Sequence, residues 1–325
     1  MNPQEIREIA SAFQKSRIFL TAFELDIFTF IGTDKYKADA LAKALNLNER
    51  GLERLLNALV SLGFLNKSND HFSNSEEGLK FLSKNSPAYL EGLLHTSHLW
   101  NSWHQLSEVI RSGYSFQEKN INNRGEIWLS AFINAMHDRG KKMAPDQVAK
   151  INLDNVNSVL DVGGGSGVFC MAFLNRKPEL KTAIFDLPNV VPISERIIKK
   201  EGYTGRIELF KGDFNTDELP IGFDLIFLSA IIHINSFENN QKLVKKCYKA
   251  LNPGGRIVIQ DWIMNDDKTS PFQGAIFAIN MLVGTENGDC YSEKEVGSWL
   301  AHAGFSDIER IKIESGVEQM LGIKK

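Results

Sequence analysis

From residue 157 onward, short apolar runs alternate with longer stretches whose apolar positions recur every three or four residues. The runs are Val159–Val162, Thr182–Phe185, Ile207–Lys211, Leu225–Ser229 and Arg256–Gln260. Continuous apolar runs of this length are buried on both faces, as parallel strands are when helices cover the sheet. The alternation therefore predicts a doubly wound α/β sheet of the Rossmann type. The N-terminal part is patterned differently. Across residues 3–31, Ala12, Phe13, Ile18, Phe19, Ala22, Phe23, Leu25, Ile27 and Phe28 follow helical spacing. That face is wide and rich in Phe, more apolar surface than a lone helix keeps in water. It predicts packing against the rest of its domain or against another subunit.

Residues 36–82 read as two helices and a hairpin. Lys37–Leu45 is a short helix, Asn46–Asn48 a turn, and Asn48 is placed to cap Glu49–Leu62. Leu52, Leu55, Leu56, Leu59 and Leu62 would face inward, with Gly63 ending the helix. Phe64-Leu65, a polar tip Asn66–Asp70 and His71-Phe72 complete a wing, so the segment predicts a winged helix. Residues 88–150 predict a helical bridge. Leu94, Leu99, Trp100, Trp103, Leu106 and Ile110 mark one helix of it, and Phe132, Ile133, Ala135 and Met136 another. The spacing of His95, His98 and His104 is not a tight metal pattern, and these read as core or pocket-lining side chains; no metal site is expected.

Composition narrows the options. A 43% hydrophobic content suits a globular chain of one large or two ordinary domains. The net charge of −3 gives no general attraction to nucleic acid or an anionic membrane. A winged helix can bind DNA, but Arg50 and Arg54 are matched by Glu49 and Glu53 on a helix that is mostly leucine. That argues against major-groove docking. Cys170, Cys247 and Cys290 are scattered, which suits a reducing compartment. The charged N-terminus has no signal-type core behind it, and no run approaches about 18 apolar residues. The expectation is a soluble, cytoplasmic protein.

The candidate chemistry centres on Ser158-Val-Leu-Asp-Val-Gly-Gly-Gly-Ser-Gly-Val168. A strand, a glycine turn and a helix form a nucleotide-binding arrangement. The dinucleotide spacing fails, because its third small position falls on Val168. What stands is Asp161-x-Gly163-x-Gly165-x-Gly167, with Asp186 roughly 20 residues on, where an acid suits a ribose diol. This pattern resembles the class I S-adenosylmethionine (SAM)-dependent methyltransferases. With the winged helix ahead of it, the chain resembles the small-molecule O-methyltransferases of the caffeate and acetylserotonin type over essentially its whole length.

The resemblance implies a dimerisation domain over 1–92 and a catalytic domain over 93–325, with 93–150 bordering the acceptor pocket. It implies antiparallel strands after Gly304-Phe305, over Ile308–Ile311 and Val317–Leu321. It implies a SAM site on Asp161, Gly163, Gly165, Gly167, Asp186, Leu187, Asp213, Phe214 and Ser229. Asp213 and Phe214, in Phe210-Lys-Gly-Asp-Phe214, would meet adenine. His233, just past the run Phe223–Ser229, matches the family's general base, and Asp261, after Asn252-Pro-Gly-Gly255, the acid that orients it. A base with a pKa near operating pH suits a phenol, which is mostly protonated at neutral pH. Phe132, Met136, Trp262, Phe277, Asn280 and Met281 are candidates for the acceptor wall. S-adenosylhomocysteine (SAH) would be the product and the homodimer the assembly.

The chain also departs from the family. Ile234-Asn-Ser-Phe-Glu238 lacks the Asp-Trp that usually follows the histidine, and Cys290 stands where a second acid is expected, with Glu286 and Asp289 as possible substitutes. A lysine common in the plant members is Ser229. The departures leave other readings open: SAM chemistry at carbon or nitrogen, a reaction other than methylation, or a SAM-responsive DNA-binding regulator.

Overall fold

The computed structural model describes residues 1–116, 125–313 and 316–325. By contact the chain divides into two units, Met1–His98 and Leu99–Lys325. In the first, helices Pro3–Ser11, Phe13–Glu24 and Ile27–Ile31 precede Ala38–Leu45 and Glu49–Ser61. Asn48 caps the last of these, its side-chain oxygen accepting the Gly51 N–H at 3.0 Å. Leu52, Leu56 and Leu59 are buried at i, i+4 and i+7, while Leu55 and Leu62 are half-buried. The wing is β1 (Leu65–Ser68) paired antiparallel with β2 (His71–Asn74). Asn69 and Asp70 join them, both with left-handed backbone, the geometry that matches the twist of a tight hairpin. Phe28, Leu41, Leu56 and Phe72 are fully buried in this unit's own core. Helix Pro3–Ser11 buries none of its residues, and Ile6, Ile9 and Phe13 are exposed.

The single helix expected over Leu94–Ile110 is two, Leu93–Trp103 and Leu106–Ser112. At the join the Gln105 N–H bonds Ser102 O, three residues back, and this tighter turn breaks the α-helical ladder. Helix Glu126–Ala149 leads into the sheet.

The sheet strands are β3 (Ser158–Val162), β4 (Lys181–Asp186), β5 (Ile207–Lys211), β6 (Phe223–Ser229), β7 (Leu251–Asp261), β8 (Phe305–Ile311) and β9 (Glu318–Lys324). Their order is β5-β4-β3-β6-β7-β9-β8. The first five are parallel, as their apolar runs predict, and β9 is antiparallel to both β7 and β8. The expected C-terminal strands are therefore present, with the last one inserted between β7 and β8. The apolar run Arg256–Gln260 is extended at its start, so that Asn252-Pro-Gly-Gly255 lies inside β7. Pairing with β6 goes from Phe223↔Leu251 to Leu225↔Arg256, so the loop is taken up as an irregularity in the ladder.

Side chains alternate between the two faces of the sheet. Val159, Ile184, Phe227 and Val258 pack into one core with helices Glu126–Ala149 and Val168–Arg176. Leu160, Phe185, Leu228 and Ile259 pack into another with helices Phe237–Ala250 and Glu293–Ala303. The chain leaves β3 toward β4 and β5 on one side and returns to β6 and β7 on the other. The carboxyl ends of β3 and β6 thus flank the switch point where open α/β sheets bind ligands.

Candidate active site

Asp161 is fully buried on β3, and the turn after it is shaped by what surrounds it. Gly163 has φ 72°, and a Cβ there would lie 2.2 Å from Ile231 Cδ1, so any other residue would strain the backbone and displace the Ile231 side chain. Gly165 has φ 53°, and its N–H donates to Asp186 Oδ2 at 2.8 Å. The Leu187 N–H donates to the other oxygen, Asp186 Oδ1, at 2.7 Å. Asp186 is thereby fixed at the end of β4, across from the glycine turn. Ser194 Oγ donates to the Gly165 carbonyl and holds the turn from behind.

Both acids are shifted upward. Burial pushes the Asp161 carboxyl up to about 8, helped by the negative charge of Asp186. Burial also lifts Asp186, to about 6, against the pull of its two backbone N–H donors. Asp161 Oδ2 is buried and has no hydrogen-bond partner among the described residues.

Phe214, after β5, is buried, and its ring lies 3.7 Å from where a Gly163 Cβ would be. Asp213 beside it is half-buried, with its Oδ1 accepting the Asn215 N–H at 2.8 Å. Asp161, the glycine turn, Asp186, Leu187, Asp213 and Phe214 therefore line the ends of three adjacent strands. Ser229 ends β6 and has a different occupation: its hydroxyl accepts from Gln260 Nε2 at 3.0 Å. Gln260 in turn is tied to Gln147 and Gln319 in a buried amide network.

His233 sits in the 3-10 turn Ile232–Ile234, four residues past β6, and is largely buried. Its Nδ1 lies 2.9 Å from both Asp261 Oδ1 and Oδ2. The carboxylate only accepts, so Nδ1 carries a proton, and in the neutral imidazole Nε2 holds the lone pair. The Trp262 N–H donates to Asp261 Oδ1 at 2.9 Å and helps to aim it. The chain reaches this turn through Ala230, whose φ of 58° costs a non-glycine residue about 1–2 kcal/mol. The Ala230 N–H bond to Gln260 O, 2.9 Å, holds it there.

Phe277 meets the His233 ring edge-on, centroids 4.9 Å apart at 87°, and Trp262 lies 6.3 Å from Phe277. Three of the expected wall and base residues are thus brought together. Asn280 accepts at Oδ1 from Trp103 Nε1, 2.9 Å, and Met281 is buried. Phe132 stacks on Trp128 and Met136 is half-buried, both on helix Glu126–Ala149. Asp289 is paired with Lys268 Nζ at 2.9 Å. The Cys290 thiol is buried, and burial with the nearby Asp261 and Asp289 charges pushes it up to about 12. Among the described residues no cluster of His, Cys, Asp and Glu could hold a metal ion.

Sequence reasoning missed Ala230, Ser194 and His137. His137 is buried, with Nδ1 3.1 Å from Ser166 Oγ inside the glycine turn. Nothing in its spacing signals this, beyond its place next to Met136.

A seven-stranded, mostly parallel sheet with a glycine turn and an acid at the next strand end is a nucleotide-binding α/β arrangement. Residues 107–306 match the family model of the O-methyltransferase domain, and residues 7–84 that of the O-methyltransferase dimerisation domain. The chain belongs to the O-methyltransferase family and is an enzyme of that class. It is 28% identical over 320 residues to a 3-hydroxy-5-methyl-1-naphthoate 3-O-methyltransferase of Streptomyces sahachiroi, covering 96% of this chain and 92% of that protein. It is 27% identical over 341 residues to acetylserotonin O-methyltransferase of Gallus gallus, covering 99% and 97%. The solved structure of PigF with SAH superposes with a TM-score of 0.91 at 24% identity, covering both chains fully, a likeness of fold. No helix among the described residues is long and apolar enough to cross a membrane.

Proposed function

We propose that this enzyme transfers a methyl group from SAM to a hydroxyl of a small aromatic or polyketide-like acceptor, with His233 as general base. The observation that carries the reading is the His233–Asp261 pair, held at 2.9 Å through Nδ1 so that Nε2 keeps its lone pair. The naphthoate and acetylserotonin activities named for its relatives support an aromatic acceptor.

The residues at the strand ends fit SAM. The buried Asp161 Oδ2 has no partner among the described residues and can accept from an ammonium group. The glycine turn leaves backbone open to a ligand, Asp186 can take a ribose diol and Phe214 can pack on a purine. Asp213 would accept from the adenine amino group, and Leu187 would border the ribose. Ser229, engaged by Gln260, would line the site through its position at the end of β6. When bound, SAM supplies an electrophilic methyl group on a sulfonium.

His233 Nε2 takes the proton of the acceptor hydroxyl as the oxygen becomes nucleophilic, and Asp261 stabilises the imidazolium that forms. Trp262 and Phe277 give an apolar wall that orients a ring and excludes water, with Phe132, Met136, Asn280 and Met281 as further walls. Residues 1–92 pair with a second copy to form a homodimer, and 93–325 carry the chemistry, with 93–150 beside the acceptor. The buried free cysteines suit a cytoplasmic enzyme.

The test is titration of the protein with SAM, SAH and NAD by calorimetry, then a phenol screen with His233→Ala beside the wild type. Binding of both sulfur nucleosides, not NAD, is expected, with turnover falling about 10²- to 10⁴-fold in His233→Ala at unchanged SAH affinity. Binding of NAD alone would overturn the cofactor. Near-full turnover by His233→Ala would overturn the base and leave methyl transfer by proximity.

A further inference from the structure

We propose that His137 is a positioning residue that clamps the glycine turn in its cofactor-binding shape, a role that rests on the SAM-binding reading above. Helix Glu126–Ala149 lies along the turn with one face. Ile133, His137 and Gly140, at i, i+4 and i+7, meet Gly165, Ser166 and Val168 in that order. Ile133 Cδ1 is 3.6 Å from where a Gly165 Cβ would stand, and a Gly140 Cβ would stand 2.6 Å from Val168 Cγ1. Between these packing contacts lies the polar one, His137 Nδ1 to Ser166 Oγ at 3.1 Å.

The far side of the imidazole fixes its tautomer. His137 Nε2 lies 3.3 Å from Glu201 Oε1, and Lys141 Nζ reaches both Glu201 oxygens at 2.9 and 3.0 Å. Lys141 and His137 hold the Glu201 carboxyl below its usual range, so it stays an acceptor. Burial keeps His137 below the ordinary histidine range and therefore neutral, against the pull of Glu201 and Asp138. Nε2 then donates to Glu201, Nδ1 accepts, and the Ser166 hydroxyl must donate to it. Asp186 holds the Gly165 N–H and Ser194 the Gly165 carbonyl. His137 supplies the third grip, on the residue between Gly165 and Gly167. A turn this rich in glycine would otherwise lose much conformational freedom on binding, and pre-ordering it removes that cost from the affinity.

The experiment compares wild type with His137→Phe, His137→Gln, Ser166→Ala and the His137→Phe/Ser166→Ala double variant. SAH affinity is read by calorimetry, and amide hydrogen exchange of Gly165–Val168 is read in the protein without ligand. His137→Phe and Ser166→Ala should each weaken SAH binding about 3- to 10-fold, the worth of one hydrogen bond. The double variant should be no worse than either single one. His137→Gln, which can still accept on one side and donate on the other, should restore affinity to within about twofold of wild type. Exchange in the turn should quicken while exchange in β6 and β7 does not.

An unchanged SAH affinity and unchanged exchange in Ser166→Ala would overturn the clamp, and so would single effects that multiply in the double variant. Ser166→Ala removes only a hydroxyl, so it decides the matter even where His137→Phe fails to fold. Failure of the wild type to bind SAH overturns the cofactor reading instead, and the exchange data still decide whether His137 holds the turn.

Discussion

Asp161 and Asp186 are buried acids whose carboxyls are lifted to about 8 and about 6. Raised carboxyls favour the protonated form in the folded protein. Their contribution to stability is full below the ordinary aspartate range and is lost as pH rises through about 6 and then about 8. Urea unfolding of the ligand-free protein should therefore show stability falling between pH 5 and pH 9. A ligand ammonium at Asp161 favours the carboxylate, so binding at pH 7 should expel a proton. Calorimetry of SAH binding in buffers of different ionisation heat should read a release approaching one proton; uptake would place the ammonium elsewhere. The other prediction at this scale concerns Asp261. Asp261→Asn can present an N–H to His233 and turn the wrong nitrogen outward, so turnover should fall about 10²-fold or more with SAH affinity unchanged. The positions of Asp186 and Asp261 were legible in the sequence, because these acids close strands whose apolar runs fix their place. His137 was not, since its partners lie 29 and 64 residues away along the chain.

Helix Glu126–Ala149 packs closely on the glycine turn. Gly140 stands where a methyl group would meet Val168 Cγ1 at 2.6 Å, and valine has little rotamer freedom on its own helix. Gly140→Ala gains about 1 kcal/mol in helix propensity and loses about 1–3 kcal/mol to overpacking. The expected net result is a less stable protein with weaker SAH binding, and adding Val168→Ala should restore both. A stabilised Gly140→Ala variant would show that the helix can step back without moving the turn. The existence and type of the sheet strands were readable because buried parallel runs are continuous. The irregular start of β7 and the break at Gln105 were not, because each is a local backbone adjustment with no apolar period of its own.

At the scale of the whole molecule, the N-terminal helix raises the question of what covers it. Pro3–Ser11 carries a complete capping box from Asn2 and Glu5 yet buries nothing. Ile6, Ile9 and Phe13 are 54, 66 and 53% exposed. A helix built this carefully with an apolar stripe in water fits the match of 7–84 to a dimerisation domain. Deleting residues 1–13 should shift the protein from dimer toward monomer in light scattering, with the winged-helix core intact by circular dichroism. A dimer that survives the deletion would place the interface elsewhere in the unit. The Phe-rich periodicity had pointed to a partner surface, but sequence alone left open whether the cover was the same chain or another.

Gln260 and Asp261 are consecutive on β7 and so face opposite sides of the sheet. The Gln260 side-chain amide donates to Gln147 of helix Glu126–Ala149, the Gln260 backbone carbonyl accepts the Ala230 N–H, and Asp261 accepts from His233. One peptide group thus joins the helix that lies on the glycine turn to the base that would meet the acceptor. A carbon-13 label at the Gln260 carbonyl would serve as a two-sided gauge, its infrared frequency shifting when either ligand enters.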